Sequence, residues 1–90
     1  MVTLEMAKEY LKVDSSDEDE TIEILLKSAV QICADVARMN EDEFSEVGEI
    51  GKAAVLFALG YFYEHREEGD RRELILTLRA LLFGVRREGF

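Results

Sequence analysis

The stretch Ile50-Gly51-Lys52-Ala53-Ala54-Val55-Leu56-Phe57-Ala58-Leu59-Gly60-Tyr61-Phe62-Tyr63 decides the fold. From Ala53 to Tyr63 it holds no charged side chain. As a helix those residues make about three turns, roughly 16 Å, well short of a bilayer. Glu46 and Glu49 precede the run and Glu64-His65-Arg66-Glu67-Glu68 follows it, so charged sequence brackets it on both sides. A strand is the poorer reading, because the run is longer than a usual strand and mixes Ala, Leu and Gly with its aromatics. A helix apolar on every side needs neighbours all round. The stretch therefore predicts the central helix, about 50–66, of a small all-α bundle of about four helices.

The flanking sequence supplies the other three. Thr3 is placed to cap a short helix from Leu4 to about Lys12, with Leu4, Ala7 and Leu11 on one face. Fewer than three turns do not hold alone, so this helix must dock. Ser15 with Glu18, or Ser16 with Asp19, has capping-box spacing and starts a second helix that runs to about Met39. Ile22, Leu25, Ala29, Ile32 and Val36 repeat along it at three and four, with Leu26, Cys33 and Ala37 beside them. Asn40 either closes that helix or caps a short turn toward the next, and Gly48 and Gly51 leave the start of the central helix between Ser45 and Ile50. Beyond the centre, Gly69 is a natural stop and Asp70 with Glu73 another capping box. The last helix then runs to about Phe83, with Leu74, Leu78, Leu81 and Leu82 inward and Arg72 and Arg79 outward. Gly84 ends it, and residues 84–90 form a C-terminal contact tail. The expected core is Ile22, Leu25, Leu26, Ala29, Ile32, Cys33, Val36, Leu56, Phe57, Tyr61, Leu78 and Leu82.

Ninety residues make one domain, 1–90, and a chain of this length buries only around 60–65% of its unfolded surface. Self-association would steady so small a fold. The absence of proline and the abundance of Ala, Leu, Glu, Lys and Arg agree with an all-α fold. A net charge of −9 disfavours nucleic acid or an anionic membrane as a tightly held ligand. A single cysteine fits a reducing compartment, and no signal peptide or spanning segment is visible, so a soluble intracellular chain is expected. The charge is uneven: residues 1–64 hold 15 acidic and 5 basic side chains, residues 65–90 hold 5 and 6. An arginine-bearing end facing an acidic flank of a neighbouring subunit would use that asymmetry.

Catalysis, metals and cofactors are not expected. The run Asp17-Glu18-Asp19-Glu20 lacks the spaced ligands, glycine and closing glutamate of a calcium loop, and carboxylates in a first helical turn are favoured by the helix dipole. His65 is the only histidine and has no cysteine or second histidine to share a metal with. Cys33 falls within the core stripe and reads as a small buried apolar residue. No serine stands in a nucleophile elbow, and the glycines form no phosphate loop.

Three segments carry a family resemblance. Thr3-Leu4-Glu5-Met6-Ala7-Lys8-Glu9-Tyr10-Leu11-Lys12-Val13-Asp14, followed by an acidic stretch and a long amphipathic helix, resembles the opening of the phage head–tail connector family, also described as phage DNA-packaging proteins. Tyr63-Glu64-His65-Arg66-Glu67 is similar to that family's tyrosine-glutamate-asparagine-arginine-glutamate signature, with histidine in place of asparagine. Leu81-Leu82-Phe83-Gly84-Val85-Arg86-Arg87-Glu88-Gly89-Phe90 resembles its C-terminus. The likeness covers nearly the whole chain, and the link between the second and third helices is shorter than in many members.

The resemblance implies a non-enzymatic virion structural protein, made in the host cytoplasm, that forms a homo-oligomeric ring beneath the portal. Portal protein and tail-proximal connector proteins would be its partners, and DNA would pass through without specific binding, an acidic lumen repelling phosphates. In such a ring the interface candidates are Arg66, Arg72, Arg79, Arg86 and Arg87 with Phe83 and Phe90. Their acidic counterparts would lie at Asp17 to Glu20 or Glu41 to Glu43. A rival reading is a small acidic inhibitor that mimics DNA and binds a nucleic-acid-handling protein; another is an enzyme accessory subunit without chemistry of its own.

Overall fold

The computed structural model describes residues 1–65 and 71–85. Five helices follow in order: α1 Leu4–Leu11, α2 Asp19–Ala37, α3 Glu41–Phe44, α4 Glu49–Glu64 and α5 Arg72–Leu81. Among the described residues there is no strand, and the protein is a small all-α bundle.

Local chemistry sets most of the helix ends. Thr3 Oγ1 accepts from the Met6 amide at 3.1 Å and caps α1. α1 and α2 then close in the same way. Lys12 and Arg38 take left-handed backbone angles, φ 61° and 62°. The amides that follow them, on Val13 and Met39, reach back to the carbonyls of Lys8 and Ala34. These are Schellman closures made without glycine.

Asn40, open between two roles in the sequence, caps α3. Its Oδ1 accepts from the Glu43 amide at 2.8 Å while Glu43 Oε1 accepts from the Asn40 amide at 3.0 Å. That reciprocal box turns the link into a four-residue helix, and the added helix raises the number from about four to five. Its use is to seat Phe44, which is fully buried where α3 packs on α2. Gly48, at φ 93°, makes the turn into α4 that a side chain would strain.

The start of α2 departs from expectation. The capping position belongs to Glu18, whose side chain makes no bond to the helix amides. Its carboxylate instead accepts from the Tyr63 hydroxyl at the end of α4.

α2 touches every other helix, and its pairing with α4 is the most extensive. Both bury small residues: Ala29, Cys33 and Ala37 on α2, and Ala54 and Ala58 on α4; Gly51 lies against Met1 and Val47. Ile22, Val55, Leu59, Leu74, Leu78 and Leu82 fill the remaining space and are fully buried.

Gly60 and Phe62 fix where α1 and α5 lie. A Cβ on Gly60 would stand 3.2 Å from Cε2 of Tyr10, on α1. The Phe62 ring has the Arg71 guanidinium, at the start of α5, 4.8 Å from its centroid. Residues two apart point about 200° apart around a helix, so α1 and α5 flank α4 on opposite sides. α2 covers the third side. The fourth is open and carries Ile50, Ala53 and Phe57. The Cα trace is accordingly only 16 Å deep in its thinnest direction.

This corrects two expectations. α4 is the apolar helix of the bundle, but it is covered on three sides rather than all round. Phe57, expected in the core, is 36% exposed, because three neighbouring helices cover three sides of α4 and Phe57 sits on the fourth. Of the other expected core residues, Ile22, Ala29, Cys33, Leu78 and Leu82 are buried, while Leu25, Leu26, Ile32, Val36, Leu56 and Tyr61 pack half-buried around them. Phe44, Leu59 and Phe62 join the core without having been expected there.

Candidate interaction surface

A groove of about 500 Å³ runs between α1 and the second half of α4. Gly60 lies along it, and Tyr10, Phe57, Tyr61 and Tyr63 line it. The glycine lets the Tyr10 ring lie close to α4, which keeps the groove shallow and the ring 48% exposed. At its end the His65 ring stacks on Tyr61, centroids 4.2 Å apart, and His65 Nδ1 donates to the Tyr61 carbonyl at 2.9 Å. Tyr63 donates its hydroxyl to Glu18, 2.7 Å from Oε1 and 3.2 Å from Oε2. The described part of the Tyr63-Glu64-His65 signature thus ties α4 to α2 and closes one end of the groove, leaving Glu64 exposed.

The acidic run at the start of α2 is partly engaged within the chain. Glu18 is held by Tyr63, and Asp19 Oδ1 pairs with Lys8 Nζ at 2.7 Å. Asp17 and Glu20 remain exposed. Glu43 is engaged by Asn40. The acidic surfaces expected to receive arginines from a neighbour therefore offer fewer outward carboxylates than their sequence suggests.

Opposite the groove, α5 turns a different face outward. Arg72, Leu76, Arg79 and Phe83 recur at spacings of four, three and four, and all four are exposed, Leu76 at 58% and Phe83 at 78%. Leu74, Leu78 and Leu82 point the other way, into the core. Arg66, Arg86, Arg87 and Phe90, also expected at an interface, lie outside the described residues, as does most of the 84–90 tail. The expected interface set contained Arg72, Arg79 and Phe83 but not Leu76, Tyr10 or Phe57. Leu76 had a visible signal, an apolar residue off the Leu74–Leu78 stripe. Tyr10 and Phe57 had none: Tyr10 adjoins the inward residue Leu11, and Phe57 lies in a run without a charged residue to mark an outer side.

No family model, no curated protein and no solved structure matches the chain.

Among the described residues no group of three or more His, Cys, Asp or Glu is placed to hold a metal ion. No described helix is long and apolar enough to cross a membrane. Burial pushes the Cys33 thiol up to about 12, so it stays protonated and a poor nucleophile. What these surfaces can do is bind: exposed aromatic and aliphatic side chains with charges at their margins suit a protein partner.

Proposed function

We propose that the chain is a virion structural protein, a head–tail connector subunit of a bacteriophage or prophage that assembles as a ring beneath the portal. The observation that carries this reading is the incomplete covering of α4. An apolar helix open along Ile50, Ala53 and Phe57, in a bundle that also exposes Leu76 and Phe83, suits a subunit that is completed by its neighbours. The resemblance of the segments Thr3–Asp14, Tyr63–Glu67 and Leu81–Phe90 to the connector family supports the same reading. A net charge of −9 suits a conduit that DNA traverses without being gripped, since like charge keeps phosphates mobile. The partners are then the portal protein and tail-proximal connector proteins, and the place is the virion, after assembly in the host cytoplasm.

The DNA-mimic alternative draws less support. A mimic needs carboxylates arrayed outward, whereas those of Glu18, Asp19 and Glu43 are engaged inside the chain.

The test is electron microscopy and mass measurement of the purified protein, alone and mixed with the portal protein of the same phage. Rings, or a stable complex with the portal, are expected. A monomer or dimer that ignores the portal and instead binds a nucleic-acid-handling protein would overturn the connector reading in favour of the mimic.

A further inference from the structure

Two outward surfaces of this subunit differ in kind. On the α1–α4 side the groove beside Gly60 presents Tyr10, Phe57 and Tyr61. Its continuation past Tyr10 is lined by Met6, Leu56 and Glu9. Glu64 lines the groove proper together with Lys12. The outward charges of α1 and α4 are Glu5, Glu9, Glu49 and Glu64 against Lys12 and half-buried Lys52. On the other side, α5 and its first turn present Arg71, Arg72 and Arg79 against Glu73, with Leu76 and Phe83 between and beyond the arginines. One face is aromatic and acidic, the other apolar and basic.

The two faces lie on opposite sides of α4, as the Tyr10–Gly60 and Arg71–Phe62 contacts require. Such a subunit favours one mode of self-pairing. Two α5 faces brought together across a two-fold axis would oppose arginine to arginine, and two α1–α4 faces would oppose carboxylates; both carry a like-charge penalty. Pairing unlike faces brings opposite charges together at the rim and apolar side chains at the centre, the usual anatomy of a protein interface. Because the faces point away from each other, each copy keeps one free for the next, and the contact propagates.

We propose that the α5 stripe of one copy docks on the α1–α4 face of the next, with Leu76 and Phe83 against the Tyr10–Phe57–Tyr61 groove and Arg72 and Arg79 toward Glu9 and Glu64. This deepens the ring reading and rests on it, by naming the two surfaces that would form each joint. It also moves the acidic side of the joint from the Asp17–Glu20 run to α1 and α4.

Charge reversal of each face, read by sedimentation across a range of protein concentration and salt, tests it. Arg72→Glu with Arg79→Glu on α5, and Glu9→Lys with Glu64→Lys on α1 and α4, should each keep wild-type helicity, since all four residues are exposed. Each should raise the concentration for half-assembly by about tenfold or more. An equimolar mixture of the two variants should assemble again, because acid then meets base at every alternating joint. Leu76→Asp, at a site 58% exposed, is the second α5 variant should the arginine reversal lose helicity, and it too should fail to assemble. If wild type assembles and neither reversal matters, this joint is wrong while the ring reading stands. If only the Glu9 and Glu64 reversal matters, the α1–α4 face pairs with something other than α5, and the joint is again wrong. A wild-type protein that stays monomeric at every concentration and binds no portal overturns both.

Discussion

The hydroxyl of Tyr63 lies 2.7 Å from Glu18 Oε1, joining the end of α4 to the start of α2 across 45 residues of chain. A hydrogen bond to a charged acceptor contributes about 1.5–3 kcal/mol, and partial exposure places this one toward the low end. Tyr63→Phe should therefore lower the free energy of urea unfolding by about 1–2 kcal/mol. In a double-mutant cycle with Glu18→Gln the two losses should fall well short of adding. Strict additivity would show that the contact does not hold the helices together.

Gly60 offers a test of opposite sign. In a helix interior, Gly→Ala commonly stabilises by about 0.5–1 kcal/mol. Here the new methyl would meet Tyr10 Cε2 at 3.2 Å, so the ring must shift and α1 loosens. Gly60→Ala should be neutral or destabilising in the wild-type chain yet stabilising in a Tyr10→Ala background. A gain of equal size in both backgrounds would mean that the glycine does not serve the docking of α1. Melting of the four proteins decides it.

The features that could be read from the chain are those whose cause is local or periodic. Thr3 caps α1 through a bond three residues long, and Leu74, Leu78 and Leu82 mark the inner face of α5 because they recur every four residues. α4 gave no such guidance. With no charge between Ala53 and Tyr63, nothing distinguishes the face that carries Phe57 from the face that carries Leu59 and Phe62. Phe44 was hidden for the opposite reason, as one apolar residue in the acidic segment Glu41-Asp42-Glu43-Phe44. The Glu18–Tyr63 bond depends on the antiparallel pairing of α2 and α4, which no short window of sequence contains. The candidate surface was half legible: Arg72, Arg79 and Phe83 stand off the core stripe of α5, whereas the groove exists only once Tyr10 meets Gly60.

Cys33 gives a prediction in pH. Burial raises its folded-state value to about 12 from 9.0, so the folded protein favours the neutral thiol. The unfolded chain ionises first as pH rises, which stabilises the unfolded state. Stability from this group is therefore full below about 9 and declines as pH climbs toward about 12. Cys33→Ala should remove this share of the alkaline decline, giving a shallower slope in unfolding measurements over that window. In the folded wild type a thiol reagent should label Cys33 only as fast as the protein opens. Rapid labelling under native conditions would contradict its burial.

Leu59 and Phe57, two positions apart on α4, should separate folding from association. Leu59 is fully buried, and Leu59→Ala removes packed methyl groups and leaves a cavity, a loss of about 2–5 kcal/mol. In a domain whose whole stability is on the order of 5–15 kcal/mol, that change should melt much of the population on modest warming. Phe57 is larger but 36% exposed on the open side of α4, so Phe57→Ala should cost roughly 1 kcal/mol and keep wild-type helicity. Its effect should appear instead in assembly, as weaker self-association or weaker portal binding at concentrations where the wild type associates. Thermal unfolding and sedimentation on the same two variants give the comparison. Should Phe57→Ala destabilise as severely as Leu59→Ala while leaving association untouched, then Phe57 belongs to the core, and the open side of α4 is not a binding surface.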